Sequence, residues 1–260
     1  MRRGAFAVQV GMLARRSVIR TLRQPAMVIP SLLFPLILLS INAGGLDSAT
    51  RIPGFPADSY LEFALAIPFV QGALFSASSA GTNVANDIET GFLNRLALTP
   101  LRRVALLLGQ LAGIIALGLI QALTFVIVGV IVGAGIVTGP AGALVIVVLA
   151  LLVSLAFGCI GAFVALRTGS SEAVQGVFPL LFAAFFLSSV SLPRNLIDTD
   201  WFRTVATYNP VSYMIEGIRS LIITGWDGEA LALGFACAGG VSLVAIVAAA
   251  SALRTRMVRT

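Results

Sequence analysis

The sequence has no histidine and no lysine, and it contains little charge of either sign. Of its 260 residues, 11% are charged and 58% are hydrophobic, and the mean hydropathy is +1.00. Soluble domains carry about 25% charged residues. This composition, together with apolar runs of about 20 residues, indicates an integral membrane protein.

These absences exclude several kinds of chemistry. Without lysine the chain cannot form the G-x-x-x-x-G-K-[ST] loop that binds ATP, and without histidine it has neither an H-E-x-x-H zinc site nor a histidine-activated nucleophile. No acidic residue is expected at mid-membrane, although proton- or sodium-coupled carriers usually need one. Cys159 and Cys237 fall within apolar runs, so we expect two buried side chains rather than a disulfide. An intramembrane enzyme and a secondary transporter are therefore disfavoured, and no catalytic, metal or cofactor site is expected in this chain.

The apolar runs predict an all-α integral membrane domain that covers residues 1–260 and crosses the membrane six times. The predicted spans are Ala26–Ala43, Tyr60–Ala80, Val104–Gly135, Gly142–Leu166, Val174–Leu192 and Ala230–Leu253. An even number of spans places both termini on one side, and 13 of the 17 arginines fall on that side. The positive-inside rule makes it the cytoplasmic side. We therefore expect a multi-pass protein of the cytoplasmic membrane, whose +6 net charge comes from these arginines and does not indicate nucleic acid.

Residues 1–25 are predicted to form a helix at the cytoplasmic membrane surface. On a helix, polar and basic side chains share one narrow face, and apolar side chains lie largely away from it. The first set is Gln9, Arg16, Arg20 and Arg23, and the second is Val8, Val18, Ile19 and Leu22. The arginines would then face anionic lipid headgroups. The alternative is a partly disordered basic leader.

A polar, charged stretch between the second and third spans predicts a short amphipathic helix over residues 84–99. Its apolar stripe recurs every four residues and consists of Val84, Ile88, Phe92 and Leu96. Acidic Asp87 and Glu89 near its start and Arg95 near its end suit the helix dipole. Pro100 would end the helix on the cytoplasmic side. The alternative is an ordinary interfacial loop helix.

A second short helix is predicted on the outer side, before the last span. Asn209 is a good N-cap and Pro210 a good first helical residue, while Glu216 and Arg219 are spaced to pair. With a preceding helix near residues 200–207, it would form a pair of outer-leaflet helices over residues 198–223.

Both short segments resemble sequence elements of ABC-2 type transporter permeases. Residues 89–96, ETGFLNRL, followed by Thr99 and Pro100, resemble the family's E-x-G-T-L-E-R-L…TP, with Phe92 where threonine is commoner. Residues 107–111, LLGQL, resemble l-x-G-K-L, with Gln110 in place of lysine. Residues 209–219, NPVSYMIEGIR, are similar to NP-x-[ST]-Y-x-x-E-x-x-R. The resemblance covers nearly the whole chain and is strongest to daunorubicin/doxorubicin-resistance-type drug-export permeases.

The resemblance implies how this chain would work. The helix over 84–99 would be a coupling helix seated in a groove of a separate ATPase subunit, through Asp87, Glu89, Gly91, Phe92, Arg95, Leu96, Thr99 and Pro100. The outer helix would form a gate with Asn209, Pro210, Tyr213, Glu216 and Arg219. Two ATPase copies would bind ATP and Mg²⁺, and a second permease chain, identical or related, would complete a dimer. The chain itself would then be no enzyme.

Two spans carry residues that would suit a substrate cavity. The second has a mildly polar face of Gln71, Phe75, Ser78 and Ser79, and the fifth has Phe178, Phe182, Phe185 and Phe186 at the same spacing. The resemblance places these spans around a cavity between two subunits, where phenylalanine would suit apolar or amphipathic cargo. Helix packing and lipid contact are the alternatives. The expected function is ATP-driven export of a drug, antibiotic or lipid, and the alternative is export of lipid or lipid-linked polysaccharide by the same fold.

Overall fold

The computed structural model describes residues 3–97 and 103–259, and all regular structure within them is helical. Short 3₁₀ turns occupy Asp47–Arg51 and Arg194–Leu196. The eleven α-helices of the described ranges are α1 (Arg3–Leu22), α2 (Pro25–Gly45), α3 (Tyr60–Ala64), α4 (Ile67–Glu89), α5 (Phe92–Ala97), α6 (Arg103–Ile131), α7 (Gly139–Thr168), α8 (Ser171–Phe186), α9 (Asp200–Tyr208), α10 (Pro210–Ile223) and α11 (Gly228–Arg259).

Five helical stretches are long and apolar enough to cross a membrane, which makes this a multi-pass membrane protein. They are Pro25–Gly45, Tyr60–Glu89, Val104–Ile131, Gly139–Thr168 and Gly228–Arg256. They correspond to the first four predicted spans and to the last. The helices of the predicted outer pair are also present, as α9 and α10.

The predicted fifth span, Val174–Leu192, is corrected to the shorter helix α8. This helix has 16 residues and ends at Phe186, so it is about 24 Å long, less than the ~30 Å of a hydrocarbon core. It ends early because the side-chain amide of Asn209 donates to the backbone oxygens of Ala184 and Leu187, at 2.6 and 3.0 Å. Those bonds satisfy carbonyls that a longer helix would otherwise use.

Helix α4 is the centre of the bundle, where α7, α8, α2 and α6 pack around it. Its closest neighbour is α7. A Cβ atom added at Gly161 of α7 would lie 1.9 Å from the backbone oxygen of Ala77 in α4. The missing side chain thus lets two backbones touch at this crossing.

Helices α3 and α4 are separated by a turn at Leu65–Ala66. Pro68, in the first turn of α4, has no N–H to donate to the preceding turn, so the predicted continuous span is interrupted here.

The predicted helix over 84–99 is also two elements. Helix α4 continues to Glu89, and a turn at Thr90–Gly91 leads into α5. Gly91 has φ +68°, in the left-handed region where glycine is favoured. The period-four stripe extends across this turn because apolar residues on both sides of it face the same neighbours.

Helix α1 is present as predicted, and it packs along α6. A Cβ atom at Gly109 of α6 would lie 2.6 Å from Cβ of Leu13, and one at Gly113 would lie 2.3 Å from Oγ of Ser17. The two glycines therefore form a close-approach face for α1. The location of α1 at a membrane surface stays a prediction.

Two regions of the bundle matter for function. We call residues 82–97 with residues 168–175 the α5 end, and residues 60–66 with residues 187–227 the α10 end. The long helices α4, α6, α7 and α11 connect the two.

Candidate functional site

Asp87 lies near the end of α4 and is bound by two arginines of α1. Its carboxylate accepts hydrogen bonds from Nη1 and Nη2 of Arg16, at 3.1 and 2.7 Å, and from Nη1 of Arg20, at 2.7 Å. The same Arg20 nitrogen donates to the backbone oxygen of Asn83 at 3.1 Å. Only 8% of Asp87 is exposed. Because a buried carboxylate requires paired charge, α1 supplies the cations that allow Asp87 to lie inside.

These contacts correct the expectation that Arg16 and Arg20 face lipid headgroups. Both turn toward a carboxylate 71 and 67 residues away along the chain, a pairing that helical periodicity cannot reveal. Asp87, predicted from its place near the start of an amphipathic helix to suit the helix dipole, lies instead near the end of α4 and is enclosed by the two arginines. Its role in coupling to an ATPase stays a prediction.

Helix α5 is held against the same unit. The guanidinium carbon of Arg16 lies 3.8 Å from the ring centroid of Phe92, a cation–π contact. Leu93 is buried, and Leu96 is half-buried against the cluster that contains Val84 and Ile88. Movement of α5 would therefore reach both α1 and the end of α4.

Glu89, the last residue of α4, is bonded to the start of α8. Its Oε1 accepts hydrogen bonds from the backbone N–H and the hydroxyl of Ser171, both at 3.2 Å. One turn further along α8, the side-chain amide of Gln175 donates to Oγ1 of Thr82 at 3.5 Å. The first two turns of α8 thus contact the end of α4 through polar groups.

The turn after α4 is the exposed part of this region. Glu89, Thr90 and Arg95 are exposed, and Nη2 of Arg95 donates to the backbone oxygen of Thr90 at 3.3 Å. A side chain at Gly91 would meet no atom within 4 Å. Thr99 and Pro100, also predicted to take part in coupling, lie outside the described residues.

We expect Asp87→Asn to loosen α1 from the bundle. The change removes the charge from three hydrogen bonds, but Arg16 is partly exposed, so the cost should be about 1–2 kcal/mol. Trypsin should then cleave after arginines of α1 several-fold faster in detergent solution. The matched control is Asp200→Asn, which removes the exposed Asp200–Arg203 pair at the α10 end. Equal cleavage of α1 in both variants would contradict the role of Asp87.

At the α10 end, Asn209 is the N-cap of α10 and Pro210 is its first residue, as predicted. The outer gate to which both were assigned stays a prediction. Oδ1 of Asn209 accepts from the backbone N–H of Val211 at 3.0 Å, and Pro210 is the first residue of α10. The amide group of Asn209 also caps α8, as described above. One side chain therefore fixes the start of α10 relative to the end of α8.

Glu216 pairs with Arg194, and the predicted Glu216–Arg219 pair is wrong. Nε and Nη2 of Arg194 donate to the two carboxylate oxygens at 2.9 and 2.7 Å. The Arg194 guanidinium carbon also lies 4.4 Å from the ring centroid of Tyr213, whose hydroxyl donates to the backbone oxygen of Thr207. Desolvation by burial lowers the pKa of Arg194, but Glu216 and Tyr213 raise it by more, so its pKa lies above the ordinary value. The Arg194 guanidinium therefore stays charged at neutral pH.

Arg219 is 6% exposed and binds backbone carbonyls from two other segments. Nε donates to the oxygen of Phe63 at 3.1 Å, and Nη1 and Nη2 donate to those of Ser189 and Val190, both at 3.2 Å. Its guanidinium carbon lies 3.6 Å from the centroid of the Phe63 ring. Arg219 thus joins α10 to α3 and to the segment after α8.

One signal for this role is present in the sequence. Arg219 falls within the apolar stripe of Ile215, Ile218 and Ile222, so its side chain points into the protein. An arginine in that position requires buried acceptors.

The predicted cavity residues of the second span fall into two environments. Gln71 and Ser79 are 2% and 6% exposed. Phe75 and Ser78 are half-buried, and Ser78 faces α8 across a small void that Phe178 also lines.

The phenylalanines of α8 form an aromatic cluster with α2 and α4. The ring of Phe178 lies 5.5 Å from that of Phe75, and the ring of Phe182 lies 6.1 Å from that of Phe34. Phe185 is fully buried and Phe186 is 50% exposed. Helix packing therefore accounts for Phe185. A substrate cavity between two subunits stays a prediction for the more accessible rings.

The α10 end also contains an open cavity of about 480 Å³. Its charged lining residues are Arg194, Arg203, Glu216, Arg219 and Asp227. Trp201 and Trp226, the two tryptophans of the chain, belong to the same end and are 64% and 59% exposed. Tryptophan is enriched at membrane–water interfaces.

Comparison with known proteins identifies the family. The model of the ABC-2 type transporter family matches residues 8–223, and the chain belongs to this family. It is 26% identical over 222 residues to a "Putative transport permease ycf38" of Porphyra purpurea, which covers 84% of this chain and 76% of the relative. It is 24% identical over 224 residues to a "Probable doxorubicin resistance ABC transporter permease protein DrrC" of Mycobacterium tuberculosis, with 85% and 79% covered. The resemblance stated from the sequence is thereby confirmed, and the family is one of transport permeases that act with an ATP-binding partner.

Proposed function

We propose that this chain is the membrane subunit of an ATP-driven exporter, and that a separate ATPase acts on α5 and the Thr90–Gly91 turn. The observation that carries the proposal is the connectivity of this turn. Its exposed residues are continuous with α4, while Asp87 bonds it to α1 and Glu89 bonds it to α8. A force applied there would reach three helices.

The proposed topology has six crossings, with α8 as a short fifth span and both termini in the cytoplasm. The distribution of arginine supports it. Of the arginines within the described residues, eleven lie on the α5 side and four on the α10 side. Those of the α5 side are at positions 3, 15, 16, 20, 23, 95, 103, 167, 254, 256 and 259, and those of the α10 side are at positions 51, 194, 203 and 219. By the positive-inside rule, the α5 end would then be cytoplasmic and the α10 end would face outward.

We propose a hydrophobic or amphipathic cargo, such as a drug, an antibiotic or a lipid. The aromatic cluster of α2, α4 and α8 supports it, because phenylalanine rings bind apolar surface without requiring a charged partner. The printed description of the mycobacterial relative, which names doxorubicin resistance, points to the same class. Two permease chains, identical or related, would assemble with two ATPase subunits that hold ATP and Mg²⁺.

The test is transport by the purified complex in vesicles, with doxorubicin as the probe. Arg95→Glu reverses the charge of an exposed side chain of α5, and Gly91→Val strains a backbone that has φ +68° by about 1–2 kcal/mol. Each should lower ATP-dependent doxorubicin uptake at least about tenfold, a coupling loss of ~1.4 kcal/mol, while membrane insertion stays normal.

The control for charge reversal is Arg51→Glu, an exposed arginine far from α5, which should transport normally. Uptake by the chain alone, with no ATPase present, would contradict the proposal and indicate a secondary transporter. Normal uptake in both Arg95→Glu and Gly91→Val would contradict the proposal that this turn couples the chain to the ATPase.

A further inference from the structure

The start of α8 is capped by a residue from another helix. The first N–H groups of any helix have no partner within the helix. In α8, Oγ of Ser170 accepts from the N–H of Ala173, and the N–H of Ser171 is satisfied by the carboxylate of Glu89, 82 residues earlier. The negative charge also suits the positive end of the helix dipole. Glu89 is therefore both the end of α4 and part of the N-terminal cap of α8.

Helices α4 and α8 are joined at two further levels. Near the middle of the pair, the rings of Phe75 and Phe178 are in contact at 5.5 Å. At the α10 end, Arg219 binds the backbone on both sides, through Phe63 before α4 and through Ser189 after α8. Contacts at both ends and in the middle make the two helices one body.

Of these contacts, the Glu89–Ser171 bonds lie nearest to the Thr90–Gly91 turn. Because Glu89 immediately precedes that turn, any displacement of α5 acts on its backbone first. The carboxylate would transmit the displacement to Ser171, and so to the start of α8.

We infer that Glu89 is a positioning residue that makes α8 follow the movement of the α5 turn, an inference that rests on the proposed function. It gives Glu89 a different task from the one that the family resemblance implies, since its carboxylate is directed at α8 within the same chain. A displacement of α5 by the ATPase would then reach the aromatic cluster through two helices, α4 and α8.

The structural test measures the separation of the two helix ends by double electron–electron resonance. Spin labels are placed at Thr90→Cys, which is exposed, and at Gly176→Cys, where an added Cβ meets no atom within 4 Å. Cys159 and Cys237 are replaced by alanine. We expect one narrow distance distribution in the chain with Glu89, unchanged when an ATP analogue binds the full complex. Glu89→Ala should broaden it, and Glu89→Gln, which keeps an acceptor oxygen, should largely restore it.

The matched control is Glu172→Ala. It removes one negative charge from the first turn of α8, the turn that Glu89 contacts. The Glu172 carboxylate accepts from the neighbouring Ser170, and among the described residues it has no bond to α4. Its distance distribution should stay narrow. If Glu89→Ala and Glu172→Ala gave the same distribution, or if the distance in the chain with Glu89 changed on nucleotide binding, the inference would be overturned.

The functional test compares doxorubicin transported per ATP hydrolysed in vesicles. In Glu89→Ala this ratio should fall about tenfold, whereas the ATPase rate should persist because the ATPase can still bind α5. An unchanged ratio would overturn the inference and leave the proposed function intact. The distance measurement without nucleotide needs no ATPase, so it judges the Glu89 link even if the chain proves not to be ATP-driven.

Discussion

Replacing Arg219 by leucine should destabilise the α10 end more than any other single side-chain truncation there. The change leaves the buried oxygens of Phe63, Ser189 and Val190 without their donor. One unsatisfied buried group costs about 1–3 kcal/mol, so we expect a loss of about 3 kcal/mol or more. For a chain of this size, that corresponds to roughly 6–12 °C in the temperature at which the detergent-solubilised protein loses its monodisperse peak in size-exclusion chromatography.

Two companion variants distinguish geometry from charge. Arg219→Lys keeps the charge, but one ammonium cannot replace a planar guanidinium that donates in three directions, so most of the loss should remain. Arg203→Leu removes an exposed arginine that pairs with the almost fully exposed Asp200 and donates to the backbone oxygens of Ile197 and Asp198. Because water can replace these bonds at an exposed site, the change should cost at most about 1 kcal/mol. Full stability of Arg219→Lys would show that the charge alone, and not the three carbonyl bonds, supports this region.

The second large effect is expected at Gly161, where α7 crosses α4. In Gly161→Ala the new methyl group would lie 1.9 Å from the oxygen and 2.7 Å from the carbon of the Ala77 carbonyl. Since the obstacle is backbone and not a flexible side chain, the two helices must separate. The overpacking should cost about 3 kcal/mol. In the same heating experiment, the variant should lose its monodisperse peak at a lower temperature than the original chain.

The comparison for Gly161 is Gly176→Ala in α8. An added Cβ there meets nothing within 4 Å, and alanine favours a helix over glycine by about 0.5–1 kcal/mol. This variant should be as stable as the original chain or slightly more stable. Equal behaviour of the two alanine variants would mean that α4 and α7 are not in backbone contact at Ala77.

Local patterns predicted much of this fold, because apolar runs and caps depend on neighbouring residues. The cap by Asn209, the first helical residue Pro210 and the long spans all follow from stretches of fewer than about 30 residues. The interruption at Gly91 was also accessible, since a glycine within an amphipathic stripe permits a positive φ. The period-four pattern nevertheless predicted one continuous helix, because apolar residues on both sides of the turn are buried against the same cluster.

Pairings between distant parts of the chain could not be predicted in the same way. Asp87 pairs with arginines that are 71 and 67 residues away in the sequence. Arg219 donates to the backbone oxygen of Phe63, which is 156 residues away. One sequence contains no information on which of several cations a buried carboxylate will select. For the same reason, α8 was expected to be longer, since its end depends on an amide supplied by Asn209 from a later segment.

The positions of Trp201 and Trp226 have a practical consequence. Both indoles lie at the α10 end and are largely exposed, so in the proposed topology all tryptophan emission of this polypeptide originates from one face of the bilayer. Iodide, which does not permeate sealed liposomes, should quench that emission only when it shares a compartment with this face. The sidedness of the reconstituted chain can therefore be read optically, without introducing a single label.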